Sequence, residues 1–548
     1  MAESSDRTPT RLRETSAWRR LEWHLADIRH AHLRELFAGD PSRGERLVAD
    51  AAGLSLDYSK NLLTNETLEL LRKLAVERGL RDRLSALSRG GPEDSQAGLH
   101  VALRLPRSRS IVVGGVDVVK QANEELDRVC AVADRVRAGS WLGATGKPVR
   151  AVVNIGTRQG GLGPELAYAA LRANTTGELV GRFVSSPDPA ALSAALDGLD
   201  AAETVFVVVA KELSRATMLT NVRSAQAWLR DSLGRDASLE RHLLVVAATP
   251  EAASALGVPA ENVLRIPEWL DESRSLCSAA ALSACISLGP DAFRELLVGF
   301  RAMDEHFASS PLGGNVPAIH GFVAIWYRNF LDAQTAAVVP YAHSLSLLPA
   351  YVQELSMGSG GKSVTISGDP VEVETGPVVW GDTAPTGDSG VLRLLQQGTV
   401  FCPLDLIAFA CPQDGAGEQH DLLFASLLAL GEALAFGRSP EELEDAGVET
   451  ETIPYRALPG NRPSSVILAR SPTPATLGAL LALYEHSVFT QASLWELDPV
   501  AGAGGEYAEE LASRIVPELG AGWKRELMHD SSTNALIRRY RHLRDARD

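Results

Sequence analysis

Residues 357–363 read MGSGGKS, a glycine-rich run that closes on lysine and serine. A phosphate-cradling loop follows G-x-x-x-x-G-K-[ST]: its backbone N–H groups turn toward the phosphates and its lysine neutralises them. Gly361, Lys362 and Ser363 fit the end of that pattern, but Ser356 stands where the leading glycine belongs and the preceding LPAYVQEL is not a clean apolar strand. A second cluster is better placed. In VVNIGTRQGGLGPELA an apolar run passes through Gly156, Gly160, Gly161 and Gly163 into an amphipathic stretch. Such a strand, loop and helix lies where open parallel sheets bind ligands, with a helix N terminus facing an anion. Two readings stand side by side here: glycines that let backbone approach an anion, or a tight turn that needs positive φ.

The elements that must position these residues change character along the chain. Residues 18–110 read as mainly helical; in NETLELLRKLAVERG, Asn65 serves as N-cap, Leu68, Leu71 and Ala75 share a face, and Gly79 is the stop. From about residue 148, VRAVVNIG, GRFVSS, ETVFVVVA and RHLLVVAAT are short apolar runs separated by helix-length amphipathic stretches. Strands apolar on both faces that alternate with helices predict a doubly wound parallel sheet covered on each side. A helical bridge leads to a second set, AAVVPYA, GPVVWGD, TVFCPLDLIAFA and SSVILAR. The expected organisation is a helical N-terminal region (1–124), a first α/β domain (125–288), a second with its helical bridge (289–515) and a C-terminal arm (516–548) whose last stretch is a capped basic helix packed on the body. GSGGKSVTISGDPVEVETG and PVAGAGGEYAE read as loops.

Composition excludes several classes of function. The chain has 548 residues, 45% hydrophobic and 22% charged, a formal net charge of −16 and a pI near 5.3. That balance argues against a sequence-independent nucleic-acid binder, which needs a basic face to displace counterions. The N-terminal MAESSDRTPTRLRETSAW carries charges where a signal peptide needs an apolar core, and no apolar run is long enough to span a bilayer. No membrane partner and a cytoplasmic location are expected. Cys130, Cys277, Cys285, Cys402 and Cys411 show no C-x-x-C spacing, which suits reduced thiols and no bound metal.

LDYSKNLLTNETLELLRKLA, AMDEHF, IWYRNF, ETGPVVWGD, GEALAFGRSPEEL, LGALLALYEHSVFTQ, RIVPEL and HDSSTNALIRRY occur in order over residues 18–541. Together they resemble the phosphoglucose isomerase (glucose-6-phosphate isomerase) family. The resemblance implies two sugar-isomerase (SIS-like) α/β domains, a helical N-terminal region, a C-terminal arm, no cofactor, and a homodimer that binds a sugar-like or anionic small molecule between subunits. It also implies acid/base groups that open the sugar ring, a carboxylate that moves a proton between C1 and C2, and a cation that stabilises the enediolate.

Read against the family's blocks, the slot of the proton-transferring glutamate holds Gly358, with Glu354 one helical turn earlier. The ring-opening histidine slot holds Ser389, preceded by Asp388; the lysine slot holds Glu509, near Glu506; the arginine slot holds Ser273, beside Arg274. The phosphate seat pairs Gly156, Arg158 and Gly160 with Lys211, Ser214 and Arg215, and Glu212 introduces a carboxylate there. Arg158 and Arg215 can hold a differently placed carboxylate or phosphate bidentately.

These occupancies set the functional expectation: the glucose-6-phosphate isomerase machinery is lost and the old cleft is retooled for another small molecule in specialised biosynthesis. The alternatives are a non-catalytic ligand-binding or regulatory dimer, and an isomerase with residual activity through other side chains. Asp388, Glu506, Glu509 and Arg274 are the candidate replacements, and Asp388 with Glu509 form an acid/base pair if they converge. Of the histidines, His343 is open to a role, while His529 is expected to hold the start of the C-terminal helix.

Overall fold

A computed structural model of the chain describes residues 11–87, 98–174, 179–211, 216–249, 253, 256–385, 389–413, 415, 417–500, 505–520 and 526–545. It forms two compact units, Met1–Val500 and Ala501–Asp548.

The first unit carries two main sheets. The strands are β1 (Val48–Ala51), β2 (Leu54–Asp57), β3 (Val112–Val113), β4 (Val116–Asp117), β5 (Ala151–Gly156), β6 (Val180–Val184), β7 (Thr204–Val209), β8 (Leu243–Ala247), β9 (Val263–Arg265), β10 (Thr335–Pro340), β11 (Val378–Gly381), β12 (Leu404–Phe409) and β13 (Ser464–Ala469). One sheet has the order β6-β5-β7-β8-β9, every pairing parallel. Every residue of β5, β7 and β8 is buried, because helices cover both faces. The second sheet runs β1-β2-β13-β12-β10-β11. Its last four strands are parallel, while β2 meets β13 antiparallel. The expected α/β class with parallel sheets is therefore present.

The β1–β2 hairpin lies within the stretch expected to be mainly helical. Ala52 (φ 49°) and Gly53 (φ 80°) form its two-residue turn, whose positive φ values match the twist of paired strands. Leu54 and Leu56 are buried on one face, a period-two signal too short to see beside strong helical neighbours. The helix Asn65–Glu77 does form, but Thr64 is the N-cap and accepts from Thr67 N–H, so Asn65 is its first helical residue. Gly79 takes φ +66° just beyond its end, as a stop requires.

Two long helices, Pro290–Ser309 and Pro474–Trp495, pack against each other. A Cβ at Gly299 would overlap the Ala475 carbonyl, and one at Gly478 the Leu296 carbonyl, so glycine sets how closely they approach. A buried polar network locks this pair to its surroundings. Arg104 donates from Nε and Nη2 to Asp304 (2.7 and 2.9 Å) and from Nη2 to Glu485 (2.7 Å), and His486 Nε2 lies 2.6 Å from Asp304. Burial works against the Arg104 charge, yet Asp304 and Glu485 outweigh it and raise the guanidinium above its ordinary range.

In the second unit the helix Glu506–Glu518 is followed by Ser531–Asp545. Asp530 caps the latter by accepting from Ser532 and Thr533 N–H. His529 bonds Glu518 through Nε2 (2.8 Å) and its N–H donates to Asn534, the structural role expected of it. Among the described residues no helix is long and apolar enough to cross a membrane.

Candidate active site

The glycine-rich turn after β5 is the organising element. Thr157 N-caps the helix Arg158–Leu171 by accepting from Gly160 N–H (3.0 Å). Gly156, Gly160, Gly161 and Gly163 all lie outside the left-handed region, so the turn does not need positive φ. Their smallness serves close approach instead. A Cβ on Gly156 would stand 3.0 Å from Val209 O, and one on Gly163 would stand 3.2 Å from Leu276 Cβ.

Against this turn packs the short helical segment Glu272–Cys277. Thr157 Oγ1 donates to Glu272 Oε2 at 2.6 Å, and a Cβ on Gly160 would lie 4.0 Å from Glu272 Cβ. The helix Leu348–Gly360 brings Gly358 to the same place, where a Cβ would have only Gln159 Nε2 near it, at 3.8 Å. Ser356 and Gly360 of this helix border a separate cavity of about 80 Å³. Arg158 pairs with Glu354 at 3.1 Å, tying the two helices together. Thr157, Gln159, Gly160, Glu272 and Gly358 thus converge on one helix start.

MGSGGKS ends a helix where a phosphate cradle would begin one, so its resemblance to that loop is superficial. Lys362 donates through Nζ to the carbonyls of Val500 (2.6 Å) and Asp498, a framework role. Burial lowers its ammonium below the usual range.

Ser273 is buried and its hydroxyl donates to Asp271 (2.7 Å). Arg274, 2% exposed at its side chain, donates to Asp271 (2.6 Å), Ser359 Oγ (3.0 Å) and Pro499 O (3.1 Å). The guanidinium is committed to holding Ser359 and Pro499 in position. Lys211 follows the carboxyl end of β7, the strand beside β5. Ser389 caps the helix Gly390–Gln397 by accepting from Val391 N–H, and that bond joins it to no member of the converging group. His343 begins the short helical segment His343–Leu345 after β10. Glu506 and Glu509 occupy the exposed first turn of the second unit's Glu506–Glu518 helix. Glu212, Ser214, Arg215 and Asp388 lie outside the described residues, and with Asp388 goes the pairing expected of it with Glu509.

Glu272 is the site residue that the sequence reading passed over. Its signal was a carboxylate in the block DESRS beside the arginine slot, but its partner Thr157 is 115 positions away.

The sequence matches the phosphoglucose isomerase family over residues 57–537. It is 47% identical over 535 residues to a glucose-6-phosphate isomerase of Roseiflexus castenholzii, covering 97% of this chain and 98% of that one. It is 48% identical over 540 residues to a glucose-6-phosphate isomerase of Anaeromyxobacter, with 98% and 99% covered. The fold matches the crystal structure of a glucose-6-phosphate isomerase from Chlamydia trachomatis with a TM-score of 0.84 at 23% identity, covering 97% of this chain and all of that one. The expectation of a retooled enzyme or non-catalytic binder is overturned by the full-length relatives, which are named for ordinary isomerase activity. That expectation tied each chemical role to one slot, whereas side chains from separate elements meet at the same helix start, Glu272 among them. The chain belongs to the phosphoglucose isomerase family.

Proposed function

We propose that the protein interconverts glucose 6-phosphate and fructose 6-phosphate, as a cytoplasmic homodimer. The observation that carries this reading is identity of 47–48% along nearly the whole chain to proteins named glucose-6-phosphate isomerase. The convergence of Thr157, Gln159, Gly160, Glu272 and Gly358 is compatible with it: a helix N terminus, a carboxylate held by a hydroxyl and an open glycine position meet there. In this reading the phosphate end of the sugar lies toward the helix start and Lys211, with Arg158, Ser214 and Arg215 as further phosphate-side groups. The carbon end lies toward Glu272 and Gly358, and Arg274 positions the wall behind them. The two SIS-like domains, divided near residues 124, 288 and 515, would enclose that space.

The test is a coupled assay in which fructose 6-phosphate is supplied and glucose 6-phosphate is oxidised with reduction of NADP. The expected result is turnover within the ordinary enzyme range, on the order of 1 to 10³ per second. A rate no higher than that of the coupling mixture alone rejects the proposal.

A further inference from the structure

We propose that Glu272 is the carboxylate that carries the proton between C1 and C2 of the sugar, a role resting on the isomerase reading above. An aldose–ketose isomerisation needs a base that removes a proton from one carbon and returns it to the next. Position 358, where the family resemblance puts that base, is glycine. Three carboxylates stand on the two elements that meet there: Asp271 and Glu272 at the start of the segment Glu272–Cys277, and Glu354 on the helix Leu348–Gly360.

Their partners separate them. Asp271 takes hydrogen bonds from the Arg274 guanidinium (2.6 Å) and the Ser273 hydroxyl (2.7 Å). Glu354 is paired with Arg158 (3.1 Å), and its side chain leans toward the N-terminal end of its helix, away from Gly358. Each would have to leave a cation to accept a proton. Glu272 is held by a neutral hydroxyl, Thr157 Oγ1, at 2.6 Å. A hydroxyl serves both protonation states, donating to the carboxylate and accepting from the carboxylic acid. Glu272 can therefore gain and lose a proton without breaking an ion pair.

Its position fits the same role. Glu272 borders Gly160 on one side of the helix start, while Gly358 stands against Gln159 in the same first turn. A Cβ at Gly160 would stand 3.2 Å from Thr157 Oγ1 and 4.0 Å from Glu272 Cβ, so glycine there lets the carboxylate's segment sit close to the helix start, while at Gly358 only Gln159 Nε2 lies within 4 Å of an added Cβ. In the forward direction Glu272 removes the C2 proton of the open-chain aldose. The C–H electron pair becomes the C1–C2 double bond and the carbonyl pair moves to O1. The acid then returns the proton to C1, a proton passes from O2 to O1, and the ketose results with no oxidant or reductant consumed.

The test compares the full-length parent with Glu272→Gln and Glu272→Asp, using fructose 6-phosphate and reading kcat, KM and deuterium entry at C1 from D₂O. Glu272→Gln is expected to lower kcat by about 10²- to 10⁴-fold, the usual share of general acid–base catalysis. KM should stay within a few-fold, and C1 exchange should fall in parallel with kcat. Glu272→Asp keeps the carboxylate one methylene short and should retain more kcat than the glutamine variant. Glu272→Gln with kcat within tenfold of the parent overturns the role of Glu272 while leaving the isomerase reading intact. If the glutamine variant does not fold, an aspartate variant that folds with kcat equal to the parent overturns it equally. A parent that does not turn over rejects the isomerase reading itself, before any variant is made.

Discussion

Arg104→Met removes the cation that the buried carboxylates Asp304 and Glu485 share. The Arg104 and Glu485 side chains are each 1% exposed and Asp304 is 11% exposed. Three charge-assisted hydrogen bonds are lost together with the stacking of the guanidinium over Phe300, 4.6 Å from the ring centroid. Removing one partner of a buried ion pair costs about 3–5 kcal/mol, because the other charge is left without compensation. Methionine restores part of the apolar contact, so about 4 kcal/mol is expected, on the order of a thousandfold in the folding equilibrium. The pH dependence adds a second check. In the parent, burial opposes ionisation of Asp304, but Arg104 and then His486 outweigh it and its carboxyl titrates below the usual range. A lowered folded pKa gives stability that is present above the unfolded value of about 3.9 and is lost as pH falls through the folded value. On this count the parent is flat between pH 5 and 8. Without the cation, burial raises the carboxyls and the sign reverses: the variant regains stability as pH falls and they protonate. Urea unfolding followed by tryptophan fluorescence should therefore show a larger deficit at pH 8 than at pH 5. A deficit below about 1 kcal/mol at both pH values would refute the ion-pair reasoning.

Other expectations concern separate parts of the molecule. His320 bonds Asp405 (2.9 Å) through Nε2 and Ser487 (2.7 Å) through Nδ1, and Tyr484 also donates to Asp405. Burial lowers the His320 imidazole, but Asp405 outweighs this and raises it. Its stabilisation is full below about pH 6.5 and is lost as pH rises through the folded value, so His320→Gln should flatten the decline in urea midpoint above that pH. Gly478→Ala would force the Pro290–Ser309 and Pro474–Trp495 helices apart; a loss of about 3 kcal/mol is expected in the same unfolding experiment. Cys411 is exposed, whereas burial pushes Cys277 and Cys402 up to about 12. Ellman's reagent should find one fast thiol in the native protein, and Cys411→Ser should abolish that phase.

Local pattern revealed what depends on local pattern. TVFVVV is apolar on both faces, and β7 lies in the middle of a covered parallel sheet. The β1–β2 hairpin was hidden because it is completed by β13, four hundred residues later in the chain. The glycines of MGSGGKS suggested a loop, yet the helix continues to Gly360, where a Cβ would stand 2.9 Å from Gly376 Cα. Tertiary packing there overrides weak helix propensity. At the site, the glycine-rich turn was visible as strand, loop and helix, while its meeting with Glu272 depends on a contact spanning 115 positions. Matching roles to slots along the sequence cannot register a carboxylate that arrives at the same space from another element.

The most direct measurement is combined ³¹P and ¹H NMR of fructose 6-phosphate incubated with the purified full-length protein in D₂O, the first reading the two sugar phosphates and the second the loss of the exchanged C–H signal. An isomerase converts it to an equilibrium mixture with glucose 6-phosphate, and some of the deuterium enters at C2 of the aldose. Fructose 6-phosphate that persists unchanged and unlabelled, while an established isomerase equilibrates it in a parallel tube, would contradict the assignment.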